Sequence, residues 1–321
     1  MSARDLPLPP LEMAGRVGSL EGAPDPYEYY DHVGQRTRED LEALLPDDWS
    51  WEGKRVLDFG CGAGRTLRHF APEAERAEIW GCDIHAESVE WIAANLVPPF
   101  HVFQNGESPP LDRPDGSFDL IWCVSVFTHL TDTWSAWMLE LRRVLTADGL
   151  LIVTFMGEGM AQFLGREWDE ERTGMHVLQL GQPWDLGGPM VLHSPWWIRE
   201  HWGRAFDVLD VRPHGFATQP QDGQGSVLLR NNGVPLTEAE LERVEVGDER
   251  ELRALQANLE TMADEVRELR RGADWLEGKL TERDRALEQL ERAHADVVGS
   301  ASWRLTEPLR LAKRKVAERR R

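Results

Sequence analysis

The sequence has few cysteines, and they lie far apart. Cys61, Cys82 and Cys123 form no CxxC pair and have no nearby histidine at metal-ligand spacing. Disulfide frameworks and zinc sites need such clusters. We therefore expect neither a disulfide framework nor a bound metal.

Long apolar runs and a basic N-terminal region are also missing. No run of about 18 apolar residues, the length that a membrane-spanning helix requires, occurs in the chain. The first residues, MSARDLPLPP, lack the basic region and apolar run of a secretory signal. These absences predict a cytoplasmic protein.

Basic residues are scarce relative to acidic ones. The 321 residues include 36 Lys and Arg against 56 Asp and Glu, a formal net charge of −20. Phosphate backbones are bound by clustered cations, so this balance predicts no nucleic-acid partner. Residues 299–321 differ, because eight Arg and Lys against two Glu give them +6 and leave −26 on the rest. A basic end on an acidic body predicts a separate role for the tail.

The middle of the chain alternates between strand and helix patterns. Residues 1–50 indicate a Pro- and Gly-rich N-terminal arm followed by a helix from about residue 27. Five apolar runs then predict strands at 55–59, 78–83, 101–104, 118–126 and 149–155. Helical patterns lie between these strands, and residues 66–70 are predicted to begin the first of those helices. Such βαβ alternation predicts an α/β fold with a doubly wound parallel sheet.

The pattern changes after the fifth strand. Residues 156–190 contain seven glycines and little periodicity, which indicates an insertion or lid. Two more strands, 206–212 and 226–230, have no helical pattern between them. Strands joined without a helix usually pair antiparallel, so we expect a hairpin at the sheet edge.

A heptad pattern follows a linker at 231–235. Of the fourteen a and d positions between residues 252 and 297, twelve are apolar, and Arg283 and His294 are the exceptions. This regularity predicts a coiled coil over residues 236–298, through which copies of the chain form a homo-oligomer. A long amphipathic helix that folds back on the domain is the alternative.

A glycine cluster follows the first strand in the segment VLDFGCGAGR. Its glycines, Gly60, Gly62 and Gly64, are spaced differently from the G-x-G-x-x-G of dinucleotide sites. A strand that ends in glycines and opens into a helix brings backbone close to a ligand and points free N–H groups at it. Asp58 would repel a pyrophosphate there and attract an ammonium group. An NAD-dependent oxidoreductase is therefore disfavoured.

Polar residues also follow the second and third strands. Asp83 ends the second strand, where an acid can accept hydrogen bonds from both hydroxyls of a ribose. Asn105 follows the third strand and is placed to meet an adenine edge. These positions suit an adenosine-containing cofactor.

In combination, these motifs resemble those of class I S-adenosylmethionine-dependent methyltransferases. The resemblance covers about residues 50–231 and includes residues 56–64, Asp83, SFDL at 117–120 and RRVLTADG at 142–149. It implies a methyltransferase domain over 51–231 with a Rossmann-like seven-stranded sheet, an antiparallel last strand and S-adenosylmethionine as cofactor. The implied cofactor-binding residues are Asp58, Gly60, Cys61, Gly62 and Gly64 around the methionine moiety, Asp83 with Ile84 at the ribose, and Asn105 at the adenine.

Methyl transfer to a hydroxyl needs a base. His129 follows the fourth strand, and ligands of this architecture lie at the carboxyl ends of strands, so His129 is the candidate catalytic base. Packing over the cofactor or capping the next helix is its alternative role. The weaker candidates are His176, His193, Asp222 and the Trp196–Trp197 pair. Trp168 and Trp184 in the lid suit a flat polar acceptor such as a sugar ring, or else pack the lid.

The tail, residues 299–321, is basic and amphipathic. Its segment SASWRLTEPLR is similar to a short stretch found after coiled coils in bacterial glycosyltransferases and in methyltransferases of surface-glycan assembly. Its apolar residues beside Arg and Lys suit an anionic membrane surface, which would place the protein peripherally at the inner face, or a partner protein's helix. A solvated basic end is the alternative.

The combined prediction is a methyltransferase that acts on a small-molecule or glycan acceptor, and we expect O-methylation of a sugar hydroxyl. The alternative from another class is a non-catalytic coiled-coil scaffold with a Rossmann-like domain.

Overall fold

The computed structural model describes residues 2–17, 20, 22–183, 188–217 and 223–310. The chain divides into two compact units, Met1–Met262 and Ala263–Arg321. The first unit contains the β-sheets, and in the second the described residues are almost entirely helical.

The helices and strands alternate along the first unit. In chain order the elements are α1 (Leu11–Ala14), α2 (Pro26–Glu42), β1 (Arg55–Phe59), β2 (Glu78–Asp83), α3 (Ala86–Asn95), β3 (His101–Gln104), β4 (Phe118–Cys123), α4 (Trp134–Val144), β5 (Leu145–Phe155), α5 (Glu158–Phe163), β6 (Met175–Leu178), β7 (Met190–His193), α6 (Pro195–Ala205), β8 (Phe206–Phe216), β9 (Gln224–Asn231), α7 (Glu238–Leu241), α8 (Glu249–Gly299) and α9 (Ala301–Leu305). Short 3-10 turns lie at Ala3–Asp5, Gly15–Val17, Leu67–Phe70, Glu73–Glu75 and Glu170–Arg172. The first three strands have the bounds that the sequence predicted.

Seven strands form one mixed sheet in the order β3-β2-β1-β4-β5-β9-β8. Strands from β3 to β5 pair in parallel, and β9 pairs antiparallel with both β5 and β8. The predicted fold class and the antiparallel hairpin at the sheet edge are confirmed. The strand order reverses between β1 and β4, so a crevice opens beyond their carboxyl ends.

The sheet has an apolar cluster on each face. Side chains of successive strand residues point to opposite faces, and Val56 and Leu57 accordingly belong to different clusters. The Leu57 cluster includes Trp137 of α4 and Trp202 of α6, while the Val56 cluster includes Ile92 of α3. Both faces are covered, which explains why β4 is almost continuously apolar.

The N-terminal arm and helix pack onto the sheet unit. Asp25 caps α2 by accepting hydrogen bonds from the N–H groups of Tyr27 and Glu28, at 2.9 and 3.1 Å. Gly34 lies in the buried face of α2, where a Cβ atom would overlap the backbone oxygen of Arg65. The absence of a side chain at this position therefore lets α2 approach the segment that follows the glycine loop.

Arg68 attaches the first residues of the chain to the same segment. Its guanidinium donates hydrogen bonds to the carbonyl oxygens of Ala3 and Leu6, each at 2.7 Å. The N-terminal residues thus belong to the compact unit that contains the sheet.

Two segments differ locally from the sequence prediction. Residues 66–70 form the 3-10 turn Leu67–Phe70 instead of the start of an α-helix. Pro72, which has no N–H to donate, precedes a second short turn and ends any helical continuation. The glycine-rich insertion contains α5 and an antiparallel pair formed by β6 and β7, two strands too short to give a periodic signal.

Helix α8 begins within the first unit. Its residues Glu251 and Ala254 are buried, as is Leu241 of α7. His201 Nε2 lies 2.8 Å from Glu251 Oε1, which fixes the first turn of α8 against α6. The compact unit therefore extends past residue 236, the start of the segment predicted as a coiled coil, to Met262.

The second unit contains the rest of α8 and the described part of the tail. Apolar side chains of the heptad stripe are exposed here, and Leu269 is 70% exposed. Among the described residues, no helix has both the length and the apolar character needed to cross a membrane.

Candidate functional site

A cleft of about 560 Å³ lies at the carboxyl ends of β1, β2 and β4. Of the residues that the sequence nominated, it is lined by Asp58, Gly60, Cys61, Gly62, Asp83, Ile84, Asn105 and His129. Gly64 does not line it; a Cβ atom there would lie 3.0 Å from Leu96 and 3.7 Å from Ile92. Gly64 therefore allows close packing against α3 and its C-terminal end.

A larger hollow of about 760 Å³ lies near the amino ends of the strands, around Trp49, Lys54, Asp119 and Arg230. Lys54 Nζ is 3.5 Å from Asp119 Oδ1, so that lysine already has an acidic partner. Ligands of open α/β sheets bind beyond the carboxyl ends of the strands. We therefore take the smaller cleft as the candidate site.

The glycine loop has a backbone that only glycine adopts easily. Gly60, Gly62 and Gly64 have φ angles of 82°, 54° and 79°. A Cβ atom on Gly60 would also overlap a methyl group of Val126, which lies after β4. The glycines thus permit both the tight turn and the close approach of the loop after β4.

The N–H groups of this loop are used inside the protein. Those of Gly60 and Cys61 both donate to the carbonyl oxygen of Cys82 at 2.9 Å. That of Gly62 donates to Asp83 Oδ2 at 2.8 Å. The expectation that these groups point at a ligand is therefore wrong for these three residues: they attach the loop to the end of β2.

Asp83 connects the glycine loop to the start of α3. Its Oδ1 accepts a hydrogen bond from the His85 N–H at 2.9 Å, while its Oδ2 accepts the Gly62 N–H. A carboxylate oxygen can accept two hydrogen bonds, so each still has capacity for a ligand hydroxyl. This arrangement is compatible with a ribose whose two hydroxyls donate to one carboxylate.

Two further acceptor atoms in the cleft are buried without a partner. Asp58 is 2% exposed, and its Oδ2 has no hydrogen-bond partner among the described residues. Burial, reinforced by the nearby Asp83 carboxylate, raises the pKa of Asp58 to about 7. Asn105 donates to the Gly106 carbonyl at 2.9 Å, but its Oδ1 is also unpartnered in the described part of the chain. Such atoms are costly unless a ligand or water supplies the missing hydrogen bond.

His129 is held in one tautomer by the insertion. Its Nδ1 lies 2.8 Å from the carbonyl oxygen of Pro189, which can only accept, so Nδ1 carries the proton. Nε2 of the neutral ring is then left with a lone pair. Burial lowers the pKa of His129, and the Pro189 hydrogen bond opposes that shift only in part. β7 fixes the adjoining backbone, because Val191 donates to the Thr128 carbonyl at 2.8 Å.

Sequence reasoning missed several residues that line the cleft, among them Arg16, Arg65, Ser125 and Trp137. Ser125 has a φ of 59°, a strained value for a residue other than glycine, and its N–H donates to Thr154 Oγ1 at 2.8 Å. No local sequence signal marks that conformation. A charged residue directly after the glycine loop is visible in the sequence, so Arg65 could have been found.

The weaker candidates that the structure describes do not line the cleft. His176 Nε2 is 3.1 Å from Thr261 Oγ1, and His193 is completely buried, which lowers its pKa to about 3. Trp196 and Trp197 are buried in the core, where packing explains them. Trp168 packs against the apolar cluster of the insertion. Trp184 and Asp222 lie outside the described residues.

Metal-binding clusters are not found in the part of the chain that the structure describes. The three cysteines are buried and free, and burial raises the pKa of each thiol well above its usual value. They are therefore apolar packing groups in this structure.

Part of the chain is similar to known methyltransferases. Residues 57–151 match the model of a family described as a methyltransferase domain. An uncharacterized methyltransferase, YcgJ of Bacillus subtilis, is 35% identical over 119 residues, which cover 36% of this chain and 46% of that protein. The 2-methyl-6-phytyl-1,4-hydroquinone methyltransferase of Synechocystis is 35% identical over 103 residues, 32% of this chain and 31% of that protein. The chain thus spans less than half the length of these curated relatives.

Among solved structures, an S-adenosylmethionine-dependent methyltransferase from Aquifex aeolicus is 19% identical in sequence to this chain, with a TM-score of 0.42. The alignment covers 66% of this chain and 96% of that one. The similarity to a methyltransferase domain thus covers residues 57–151, within the first unit.

Proposed function

We propose that this protein transfers a methyl group from S-adenosylmethionine to a hydroxyl oxygen. One observation carries the proposal: one cleft combines Asp58, whose Oδ2 has no partner among the described residues, the Asp83 carboxylate and a neutral His129 with a free lone pair. A cofactor with an ammonium group, a ribose and an adenine fits these acceptors. A pyrophosphate would place negative charge near Asp58.

S-adenosylmethionine supplies an electrophilic methyl group when it is bound. Asp58 would bind the ammonium group, Asp83 the ribose hydroxyls and Asn105 the adenine edge. Nε2 of His129 would accept the proton of the acceptor hydroxyl as the oxygen attacks. The protein also contributes position and a partly dry cleft, because methyl transfer is an in-line displacement that depends on alignment.

We infer that the acceptor is a small molecule or glycan, with a sugar hydroxyl as the first choice. The similarity of residues 300–310 to stretches in glycan-assembly proteins supports the sugar. The names of similar proteins mention other acceptors, such as a hydroquinone and, in a relative from Mycolicibacterium smegmatis, a fatty acid. The experiment must therefore distinguish these acceptor classes.

The test incubates the full chain with S-adenosylmethionine and separate pools of sugar nucleotides, glycan extract, hydroquinones and fatty acids. Release of S-adenosylhomocysteine and a product heavier by one methyl group should appear with a sugar-containing pool. Product from hydroquinones or fatty acids alone would contradict the sugar assignment and keep methyl transfer. Cofactor binding without product in any pool would favour the non-catalytic scaffold.

Asp83→Ala should weaken S-adenosylmethionine binding by about 1.5–3 kcal/mol, the range for hydrogen bonds to a charged group. The variant removes the ribose acceptors and the partner of the Gly62 N–H together. Isothermal calorimetry measures the affinity, and Asp112→Ala, an exposed acid outside the cleft lining, is the control. Unchanged affinity would refute the ribose assignment, and tight NADH binding to the wild type would instead support an oxidoreductase.

His129→Asn should lower kcat by about 10²–10⁴-fold, the usual contribution of a general base. The asparagine amide can still donate to the Pro189 carbonyl, so cofactor affinity and thermal stability should stay near wild type. Because the pKa of His129 lies below its usual 6.5, wild-type kcat should be constant at neutral pH and fall only below about 6.5. The kcat of the His129→Asn variant should not show this decrease at acidic pH.

The control for this variant is His214→Asn, a histidine on β8 outside the cleft lining. If His129→Asn loses cofactor binding or thermal stability, and kcat falls only as much as the weaker binding explains, His129 has a structural role.

We also propose that α8 joins copies of the chain as a coiled coil. Its heptad residues are exposed in the described structure, including Leu259, Leu269, Leu276 and Leu290. In a parallel pair of helices, g positions of one helix face e positions of the other. Glu265 would then face Arg270 of the second helix, and Lys279 would face Asp284, which gives two pairs of opposite charge. Association would remove the apolar stripe from water.

The basic tail would then be presented several times on one assembly, which strengthens weak contacts. In its described part, Trp303, Leu305 and Leu309 are exposed beside Arg304 and Arg310. An anionic surface on the inner face of a membrane or a partner helix would match this combination. We propose that the enzyme is cytoplasmic and bound at the inner face of the membrane.

A chain ending at Met262 should be monomeric and still bind S-adenosylmethionine, because the first compact unit is complete at that residue. Leu269→Lys with Leu276→Lys should likewise give a monomer, since charge enters the apolar stripe. Light scattering measures both. The matched control, Glu268→Lys with Trp275→Lys, introduces two lysines as well, each one position earlier in the helix and outside the apolar stripe. A monomeric wild-type chain would contradict the coiled coil.

A further inference from the structure

The start of α8 packs against the short two-stranded sheet of the insertion. A Cβ atom on Gly174, the residue before β6, would lie 3.1 Å from the Cβ atom of the buried Ala254. The absence of a side chain at Gly174 therefore lets α8 approach β6 closely. One turn further along α8, Asn258 Oδ1 accepts a hydrogen bond from the Val177 N–H of β6 at 2.9 Å. One edge of β6 is thus attached to α8 through a side chain.

The N–H groups of β6 and β7 show that this small sheet connects two parts of the first unit. Val177 lies opposite Val191 in the antiparallel pair. Opposed residues of such a pair either bond to each other or direct both N–H groups outward. On one edge, Val177 donates to Asn258. On the other edge, the Val191 N–H donates to the Thr128 carbonyl oxygen at 2.8 Å. The sheet therefore lies between α8 and the loop after β4.

The connection ends at His129. Thr128, whose carbonyl oxygen is bound by β7, is the preceding residue in the chain. Pro189, directly before β7, accepts the hydrogen bond from His129 Nδ1. The backbone and the ring of His129 are thus both positioned by β7 and the residue before it. A shift of that end of β7 would displace the Pro189 oxygen from the ring.

A further contact holds the opposite end of β7. The N–H of His193, the last residue of β7, donates to the Met156 carbonyl oxygen at 2.7 Å. Pro189 instead adjoins the first residue of β7, Met190, which is paired with Leu178 of β6. Leu178 directly follows the residue that α8 binds. The Pro189 end of β7 is therefore supported from α8 through β6.

We propose that Asn258 is a positioning residue for His129. Its amide oxygen fixes β6, β6 fixes the start of β7, and β7 with the residue before it holds the histidine. Asn258 does not line the cleft, so it acts through this sheet and not through a contact with a ligand. The role of the histidine as a base rests on the proposed function. The first turns of α8 then serve the reaction, whereas its later heptads serve association.

The first measurement reads the ring of His129 without cofactor or acceptor. Burial lowers the pKa of His129, so the ring is neutral at neutral pH, and long-range proton–nitrogen NMR of the full chain distinguishes its two tautomers. The spectrum of His129→Asn identifies the signals by their absence. The wild type should carry the proton on Nδ1. In Asn258→Leu, which has a similar volume but no acceptor oxygen, signals of the tautomer protonated on Nε2 should appear.

Asn258→Leu should also lower kcat by roughly 10- to 100-fold, because small displacements of a catalytic group have effects of this size. Affinity for S-adenosylmethionine, measured by calorimetry, should stay at the wild-type value. Asn258→Asp keeps an acceptor oxygen and should retain the wild-type tautomer and most of the kcat. The matched control is Gln256→Leu, since Gln256 is exposed on the same helix and bonds to Glu260 within it. It should change neither the tautomer nor kcat.

A double variant separates positioning from a general loss of structure. Added to His129→Asn, Asn258→Leu should lower kcat no further, because it acts through the histidine. An equal loss of kcat in both backgrounds, or an unchanged tautomer in Asn258→Leu, would overturn the proposal.

Failure of the proposed function gives a different result. If the wild type transfers no methyl group in any acceptor pool, the proposed function is wrong, and the tautomer in Asn258→Leu still decides whether α8 holds the ring. If Asn258→Leu does not fold, Asn258→Ala removes the same oxygen and suits a helix. A wild-type tautomer in that variant would equally overturn the proposal.

Discussion

The hydrogen bonds between the glycine loop and the end of β2 are the constraint on which the site depends. The Cys82 carbonyl accepts from two consecutive loop N–H groups, and the Asp83 carboxylate accepts from a third. These bonds fix the loop across the carboxyl ends of two neighbouring strands. Because Asp83 also accepts from the start of α3, one carboxylate sets the positions of three elements around the cleft. Its role in structure and its proposed role toward the ribose are therefore inseparable.

The N-terminal segment supports this loop from the other side. Gly34 lets α2 approach the Arg65 backbone, and Arg68 holds the residues before α1 by two carbonyl hydrogen bonds. Both contacts involve the segment directly after the glycine loop. Buried charges can persist in the cleft only if the surrounding backbone cannot relax, and this packing supplies that rigidity. The first 50 residues thus contribute to the site although they contain none of the family motifs.

The insertion packs behind the part of the cleft that contains His129. It contributes Pro189, whose carbonyl fixes the tautomer of His129, and β7, which binds the backbone at Thr128. A histidine that donates from Nδ1 and is partly buried stays neutral, which is the form a base requires. The same fold could accept different substrates through changes in this segment, since the sheet and the glycine loop do not depend on it.

The sequence by itself determined the seven strands of the main sheet, the order of the motifs and the position of most candidate site residues. Strand periodicity, glycine spacing and acids at strand ends are local patterns, and local patterns are preserved when the chain folds. The heptad stripe of α8 was equally visible, although the packing of Glu251 and Ala254 on the first unit was not.

Tertiary structure alone decided which polar atoms remain without partners. The internal use of the loop N–H groups, the tautomer of His129 and the strained Ser125 depend on contacts between segments distant in sequence. The same is true of the two buried atoms without a hydrogen-bond partner, Asp58 Oδ2 and Arg65 Nε. Burial is a property of the packed whole, so the desolvation that shifts the pKa values of these groups has no local signature in the sequence.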